Sequence, residues 1–155
     1  MLRNSFEHFL EEENNTDGDQ ARRRERISIL IWIIDDNEQF ARALSSVLGE
    51  FRIQVFSDGE SAIAAASAIH SEGSTPAAIL VDGDLGEDKL TGPDIIKALC
   101  GLGIGTETKT TFITLSSDPG ANSAMEKEAR VNGAPVVVYE KGGDLRKLKE
   151  ILSGV

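Results

Sequence analysis

A single cysteine, Cys100, is all the chain contains, so no disulfide can close within it. The residue reads as a small apolar group on a helix, and this usage fits a reducing, cytoplasmic compartment. Positive charge is also scarce. Sixteen Lys and Arg stand against 26 Asp and Glu, a formal net charge of -10, which argues against direct nucleic-acid binding because neutralising phosphates takes excess cations. The one basic run, Arg22-Arg23-Arg24-Glu25-Arg26, is short and balanced by acidic residues before it, so it reads as a solvated tether. Long apolar runs are missing too. The most apolar stretch, ISILIWII (27–34), is broken by Ser28 and falls well short of the ~20 residues that cross a bilayer, so no membrane partner is expected. The N-terminus lacks a secretory pattern, since charges interrupt Leu2 to Leu10 and Glu11-Glu12-Glu13 come next.

What is present suits one soluble domain: 155 residues with 40% apolar content, enough to bury a proper core. Residues 1–26 read as an extension. In it Leu2, Phe6, Phe9 and Leu10 share one face of a short helix, and NNTDGDQ (14–20) reads as a flexible link. Such a face would dock on its own domain or on a second copy, giving a homodimer, or else fray.

From Ile27 to Val155 the pattern alternates. Strand-like runs are ISILIWII (27–34), RIQVF (52–56), AAILV (77–81), TFITL (111–115) and VVVY (136–139). Between them come helical segments at 37–50, 59–72, 92–103, 122–131 and 144–154, with Pro93 near the start of the third and Asp144 capping the last. Five strands alternating with five helices predict an α/β domain, a three-layer (βα)5 doubly wound parallel sheet. Consecutive apolar positions in several strands agree with coverage on both faces.

Open parallel sheets bind ligands at the carboxyl ends of their strands, so the residues just past each strand carry the functional signal. The first strand leads into Asp35 and Asp36, the third into Asp82 and Asp84, the fourth into Ser116-Ser117 and the fifth into Glu140-Lys141. Taken singly these have plain explanations: Asp36 a helix cap, Asp82-Gly83-Asp84 a turn, Ser116 a cap, Lys141 a solvated charge. Taken together they do not, because the fold brings independent strand ends to one rim. Carboxylates converging there repel one another unless a cation joins them. Oxygen-only ligation suits Mg²⁺, and neither His8 in the extension nor His70 late in a helix is placed to add nitrogen. With Lys141 as a fixed charge and Ser116 as a hydroxyl, the rim suits a phosphoryl group beside a metal, with a carboxylate as nucleophile.

At this point the chain resembles a response-regulator receiver domain of two-component signalling. The resemblance covers about residues 27–154 and rests on IIDDN (33–37), ILVD (79–82), ITLSS (113–117) and VYEK (138–141) in that order. It implies the flavodoxin-like strand order 2-1-3-4-5. It further implies that Asp82 is the phosphoacceptor, Asp36 a direct Mg²⁺ ligand and Asp35 its water-mediated neighbour. Asp84 stands where a backbone carbonyl completes the metal site, Ser116 where a hydroxyl moves onto the phosphoryl group, and Lys141 where a lysine pairs with it. The implied donor is a histidine kinase or phosphotransfer protein, and the implied output is altered binding of a downstream protein through the face of the fourth helix, fifth strand and fifth helix. The resemblance also places Asp84 and Asp118 at positions that in this family influence dephosphorylation.

The sequence also departs from the family pattern. Gly86 stands where proline is usual, and Gly92, ten residues beyond Asp82, takes the place of a glycine usually eight beyond. The loop is therefore expected to be two residues longer. Gly142 replaces the usual proline after Lys141, which removes the reason for a cis peptide. Val138 occupies the aromatic switch position, with Tyr139 one residue on and so directed to the other face. Two other readings compete. A haloacid dehalogenase-like phosphatase would use Asp82-Gly83-Asp84, but it needs an acidic pair after the lysine. A receiver-shaped interaction module would act without phosphorylation.

Overall fold

The structure, a computed structural model, describes residues 29–72 and 74–155, together with 18, 20 and 21. The expectations for the extension and for Ile27-Ser28 fall almost wholly outside these residues. Ten elements alternate: β1 (Leu30–Ile34), α1 (Glu38–Val47), β2 (Arg52–Phe56), α2 (Gly59–Glu72), β3 (Ala78–Val81), α3 (Gly92–Gly101), β4 (Thr111–Ser116), α4 (Pro119–Val131), β5 (Val136–Glu140) and α5 (Leu145–Ser153). The five strands form one parallel sheet in the order β2-β1-β3-β4-β5, the flavodoxin-like arrangement expected from the motifs.

Alternating side chains of the sheet feed two separate cores. On one face Trp32, Ile34, Ile79, Val81 and Phe112 meet Ala62 and Ala66 of α2, Ile95 and Leu99 of α3, and Met125 of α4. On the other, Ile31, Ile33, Leu80, Ile113 and Leu115 meet Leu44 of α1 and Leu148 and Leu152 of α5. β1 and β3 are buried along their whole length, which is why they read as unbroken apolar runs. Burying each such Ile, Leu or Val contributes about 1.5–3 kcal/mol. That fixes the strands whose ends carry the acidic residues.

Several element ends differ from expectation, each for a local reason. The first helix stops at Val47 rather than residue 50, with Leu48 as its C-cap. α3 stops at Gly101 rather than residue 103 because Gly103 turns to φ +88°, outside the helical region. α4 starts at Pro119 rather than Asn122: Asp118 caps it by accepting the Gly120 N–H at 2.9 Å, and Pro119 suits a first turn. The cap of α1 is Asn37, which accepts the Phe40 N–H at 3.0 Å; Asp36 is therefore not the cap and lies exposed at the rim. Ser116 and Glu140 close their strands instead of lying beyond them. Among the described residues no helix is long and apolar enough to cross a membrane.

Candidate functional site

Parallel register sets the first two carboxylates side by side. Ile34 pairs with Val81, so the next residues, Asp35 and Asp82, leave adjacent central strands at one level. The Asp82 N–H donates to the Ile34 carbonyl at 3.0 Å, and the Asp35 N–H to the Phe56 carbonyl at 3.0 Å, which holds both backbones before either side chain turns. Carboxylate oxygens of Asp35, Asp36 and Asp82 lie within 4.8 Å of one another. The Asp84 carboxylate is not among them; it is exposed and accepts the Gly86 N–H at 3.0 Å.

Lys141 reaches this group from β5. Its backbone N–H continues the ladder onto the Ser116 carbonyl at 3.0 Å. Its Nζ donates to Asp35 Oδ2 at 2.8 Å and approaches Asp82 Oδ2 at 3.5 Å. The ammonium also sits 4.4 Å from the centre of the Phe40 ring on α1, a cation–π contact that limits where it can swing. The other Asp35 oxygen accepts the Asn37 N–H at 2.8 Å, at the start of α1, so this carboxylate is held from two sides.

These surroundings set the protonation behaviour. Burial pushes the Asp82 carboxyl above its ordinary range, and the Asp35 charge pushes the same way; Lys141 and the Asp84 N–H oppose them without winning. For Lys141, burial alone would lower the ammonium's pKa, but Asp35 and Asp82 together hold it above the usual lysine value. The site thus holds a carboxylate that ionises at a cost beside a lysine that stays charged.

Ser116 ends β4 at the same rim, nearly buried at 6% exposure. Its Oγ accepts the Asp118 N–H at 3.1 Å, which leaves the hydroxyl hydrogen free to donate. Two side chains that sequence reasoning did not single out complete the surroundings. Phe40, by its spacing, reads only as a core residue of the first helix. Asn122, 4% exposed, accepts the Ser116 N–H with Oδ1 at 3.1 Å and donates Nδ2 to the Ser116 carbonyl at 2.8 Å. A signal for Asn122 exists: it falls on the buried stripe Asn122, Met125, Ala129 of α4, where an amide needs partners.

The loop after Asp82 folds back on its start. The Gly92 N–H donates to the Gly83 carbonyl at 3.2 Å, and a Cβ on Gly92 would lie 2.7 Å from the Asp82 carbonyl oxygen. Between them, Gly86 and Asp88 adopt φ +106° and +60°. The Lys141–Gly142 peptide is trans, and Gly142 takes φ +88°. Tyr139 turns into the core beside α5 and donates its hydroxyl to the Gly143 carbonyl at 2.8 Å. Val138 faces the opposite way, 39% exposed, in a groove with Pro119, Asn122 and Ser123.

No family sequence model matches the chain, and no curated protein does. Solved structures match it well in three dimensions. A putative response regulator from Chloroflexus aurantiacus is similar with a TM-score of 0.63 at 21% identity, covering 81% of this chain and 95% of that one. The receiver domain of sensor histidine kinase PA1611 from Pseudomonas aeruginosa, with a magnesium ion in its active-site cleft, gives 0.62 at 20% identity, covering 81% and 94%. The receiver domain of NtrX from Brucella abortus gives 0.62 at 18%, covering 79% and 94%. The fold of this chain is that of the response-regulator receiver domains.

Proposed function

We propose that this protein is a phosphorylatable receiver, a signalling module rather than a metabolic enzyme. In this reading Asp82 takes a phosphoryl group from the phosphohistidine of a histidine kinase or phosphotransfer protein and thereby changes how the domain binds a protein partner. The observation that carries it is the state of Asp82: a nearly buried carboxylate at a strand end, crowded by Asp35 and Asp36 and approached by Lys141 at 3.5 Å. An all-oxygen cluster of this kind fits Mg²⁺, which Asp36 and Asp82 would hold with the Asp84 backbone carbonyl, and Asp35 through water. Bound there, the ion would supply charge neutralisation for the carboxylates and the incoming phosphoryl oxygens.

The chain's own residues have distinct tasks. An Asp82 oxygen attacks phosphorus; the new P–O bond forms as the P–N bond breaks, and the imidazole leaves with the bonding pair. Lys141, kept cationic by its carboxylate partners, faces the oxygens that gain charge. Ser116 donates its free hydroxyl hydrogen to a phosphoryl oxygen while its Oγ still accepts from Asp118. Beside Asp35 lies a cleft between Glu38, Arg42 and Ser45 of α1 and Val55 of β2. A haloacid dehalogenase-like phosphatase role is disfavoured because Gly142-Gly143-Asp144 follow Lys141, where that class needs an acidic pair.

The test uses the full chain with Mg²⁺ and beryllofluoride, an analogue of the phosphoryl group. Bound-fluoride signals in ¹⁹F NMR should require Mg²⁺ and vanish in Asp82→Ala. Trp32, 2% exposed and edge-on to Phe56 at 4.8 Å, gives a second readout by fluorescence. Wild-type protein that binds no beryllofluoride would refute phosphorylation and leave the phosphorylation-independent interaction module.

A further inference from the structure

We infer that Asn122 is the positioning residue that makes α4 and β5 follow Ser116, so that the switch is read through a main-chain clamp and not through an aromatic side chain. The inference rests on the phosphorylation reading above and names the part of the domain that carries the signal away from Asp82.

The clamp is closed on every side. Asn122 takes both the N–H and the C=O of Ser116, at 3.1 and 2.8 Å. The same carbonyl accepts the Lys141 N–H at 3.0 Å, so both of its lone pairs are in use. The Ser116 Oγ accepts from Asp118, and the Asp118 carbonyl accepts the Asn122 N–H at 3.1 Å. Ser116 is thus the joint of three elements: its own strand, the first turns of α4, and the end of β5 where Lys141 begins. If Ser116 shifts toward a group on Asp82, each bond must move with it or break. Breaking the Asn122 pair would strand the N–H of a buried residue and an amide that is itself 4% exposed, leaving the Ser116 carbonyl with the Lys141 N–H alone, which is costly.

The packing transmits the same displacement. A Cβ on Gly83, next to Asp82, would meet the Ala121 side chain at 2.7 Å and Met125 Cε at 3.4 Å. The first two turns of α4 therefore lie directly against the residue just after Asp82. The aromatic alternative is missing: Tyr139 is tied to Gly143 in the core beside α5, and the side chain facing α4 is Val138. A valine has no ring to rotate, so α4 is reached through the main-chain joint and the packing on Gly83.

Backbone amide exchange and ¹⁵N chemical shifts of the full chain, with and without Mg²⁺ and beryllofluoride, test this. In wild type, the Ser116 amide and the α4 amides from Ala124 to Val131 should change exchange rate by a common factor, of about two- to thirtyfold for coupling of ordinary size. Independent changes at Ser116 and α4 overturn the inference, and this arm needs no variant. Asn122→Leu keeps the branched heavy-atom skeleton and removes both bonds. It should still bind beryllofluoride, by ¹⁹F NMR, while the α4 response falls to less than half of the wild-type change. Asn122→Asp retains the acceptor for the Ser116 N–H and should respond to an intermediate degree. An α4 response of wild-type size in Asn122→Leu overturns the clamp while leaving phosphorylation at Asp82 intact. Wild-type protein without a beryllofluoride signal overturns both together.

Discussion

Replacing Lys141 with methionine should cost far more stability than the loss of a surface charge. Nζ lies 2.8 Å from Asp35 Oδ2, a side chain with no exposed area, and 3.5 Å from Asp82 Oδ2, a side chain 10% exposed. At an effective dielectric constant of about 20 these separations correspond to roughly 6 and 5 kcal/mol of attraction. Most of that is offset by the cost of burying the three charges, so the net worth of the cluster is small. Removing one partner is different, because the carboxylates stay buried and lose the ammonium that, among the described residues, lies beside them. Breaking a buried pair typically costs about 3–5 kcal/mol. Asp35 keeps the Asn37 N–H on its other oxygen, which places the expected loss near the lower bound, about 3 kcal/mol or 10–15 °C in Tm for a domain of this size. Methionine preserves the packing on Phe40, so the change isolates charge.

The assay is thermal and urea unfolding at pH 7 in EDTA, monitored by circular dichroism and Trp32 fluorescence. The double variant Lys141→Met with Asp35→Asn should recover most of the loss, because it removes the stranded charge together with its partner. Mg²⁺ should stabilise Lys141→Met by more than it stabilises wild type, as the remaining source of positive charge. A loss below about 1 kcal/mol, the range of an exposed ion pair, would refute the reasoning. So would a double variant no more stable than Lys141→Met alone.

Three further outcomes are expected. For a site of about 1 mM affinity, 10 mM Mg²⁺ should stabilise wild type by about 1.4 kcal/mol, and Asp36→Asn should remove most of the Tm shift while hardly altering stability in EDTA. Asp82→Asn should raise Tm in EDTA at neutral pH. Burial and Asp35 raise the folded pKa of Asp82 above its ordinary 3.8, so the folded state binds this proton more tightly than the unfolded state does. The aspartate's contribution is then most favourable below about pH 4 and is lost as pH rises through the folded pKa. The asparagine advantage should accordingly grow with pH over that window, disappear in acid, and shrink when Mg²⁺ is present; an advantage independent of pH would count against the assigned burial. Gly92→Ala should cost about 1–3 kcal/mol, because its Cβ would meet the Asp82 carbonyl oxygen, which is main chain and cannot swing aside; urea unfolding compared with Gly101→Ala, where nothing lies within 4 Å, separates the clash from helix propensity.

The sheet and the acidic rim are legible in the sequence because they depend on short-range pattern and one topological rule. Apolar runs ending on Asp35 and Asp82 suffice once parallel strands are inferred, since adjacent central strands must deliver their next residues to the same edge. What is not legible depends on where side chains turn after the backbone is laid down. Phe40 lies on the apolar stripe of α1, and nothing in its spacing says that its ring covers an ammonium carried by β5. Asn122 is hidden by the helix boundary: a helix begun at Asn122, without Asp118 and Pro119, makes it a terminal residue, where an exposed amide is ordinary. Placed in the first turns it falls on the buried stripe, and its need for partners becomes visible. Gly92 could be matched to the close approach, but the path of Gly86 to Lys89 could not, because positive φ at Gly86 and at Asp88 leaves no periodic trace.

The charge count at the rim explains why Ser116 must be tied to something. Asp35, Asp36 and Asp82 against Lys141 leave a formal charge of -2, which one divalent cation brings to zero. Converting the Asp82 carboxylate to an acyl phosphate replaces a charge of -1 by one close to -2, so the balanced site becomes negative again. Lys141 is already committed to Asp35 and Asp82, and the Asp84 and Asp118 side chains can only add repulsion. An uncommitted donor at the same rim is the Ser116 hydroxyl, whose oxygen holds the Asp118 N–H. Movement of that donor is therefore the local answer to the new charge. Because Asn122 and the Lys141 N–H grip the main chain of the same residue, any part of that movement taken up by the Ser116 main chain, rather than by rotation of its side chain, is passed to α4 and the end of β5 unless the clamp breaks.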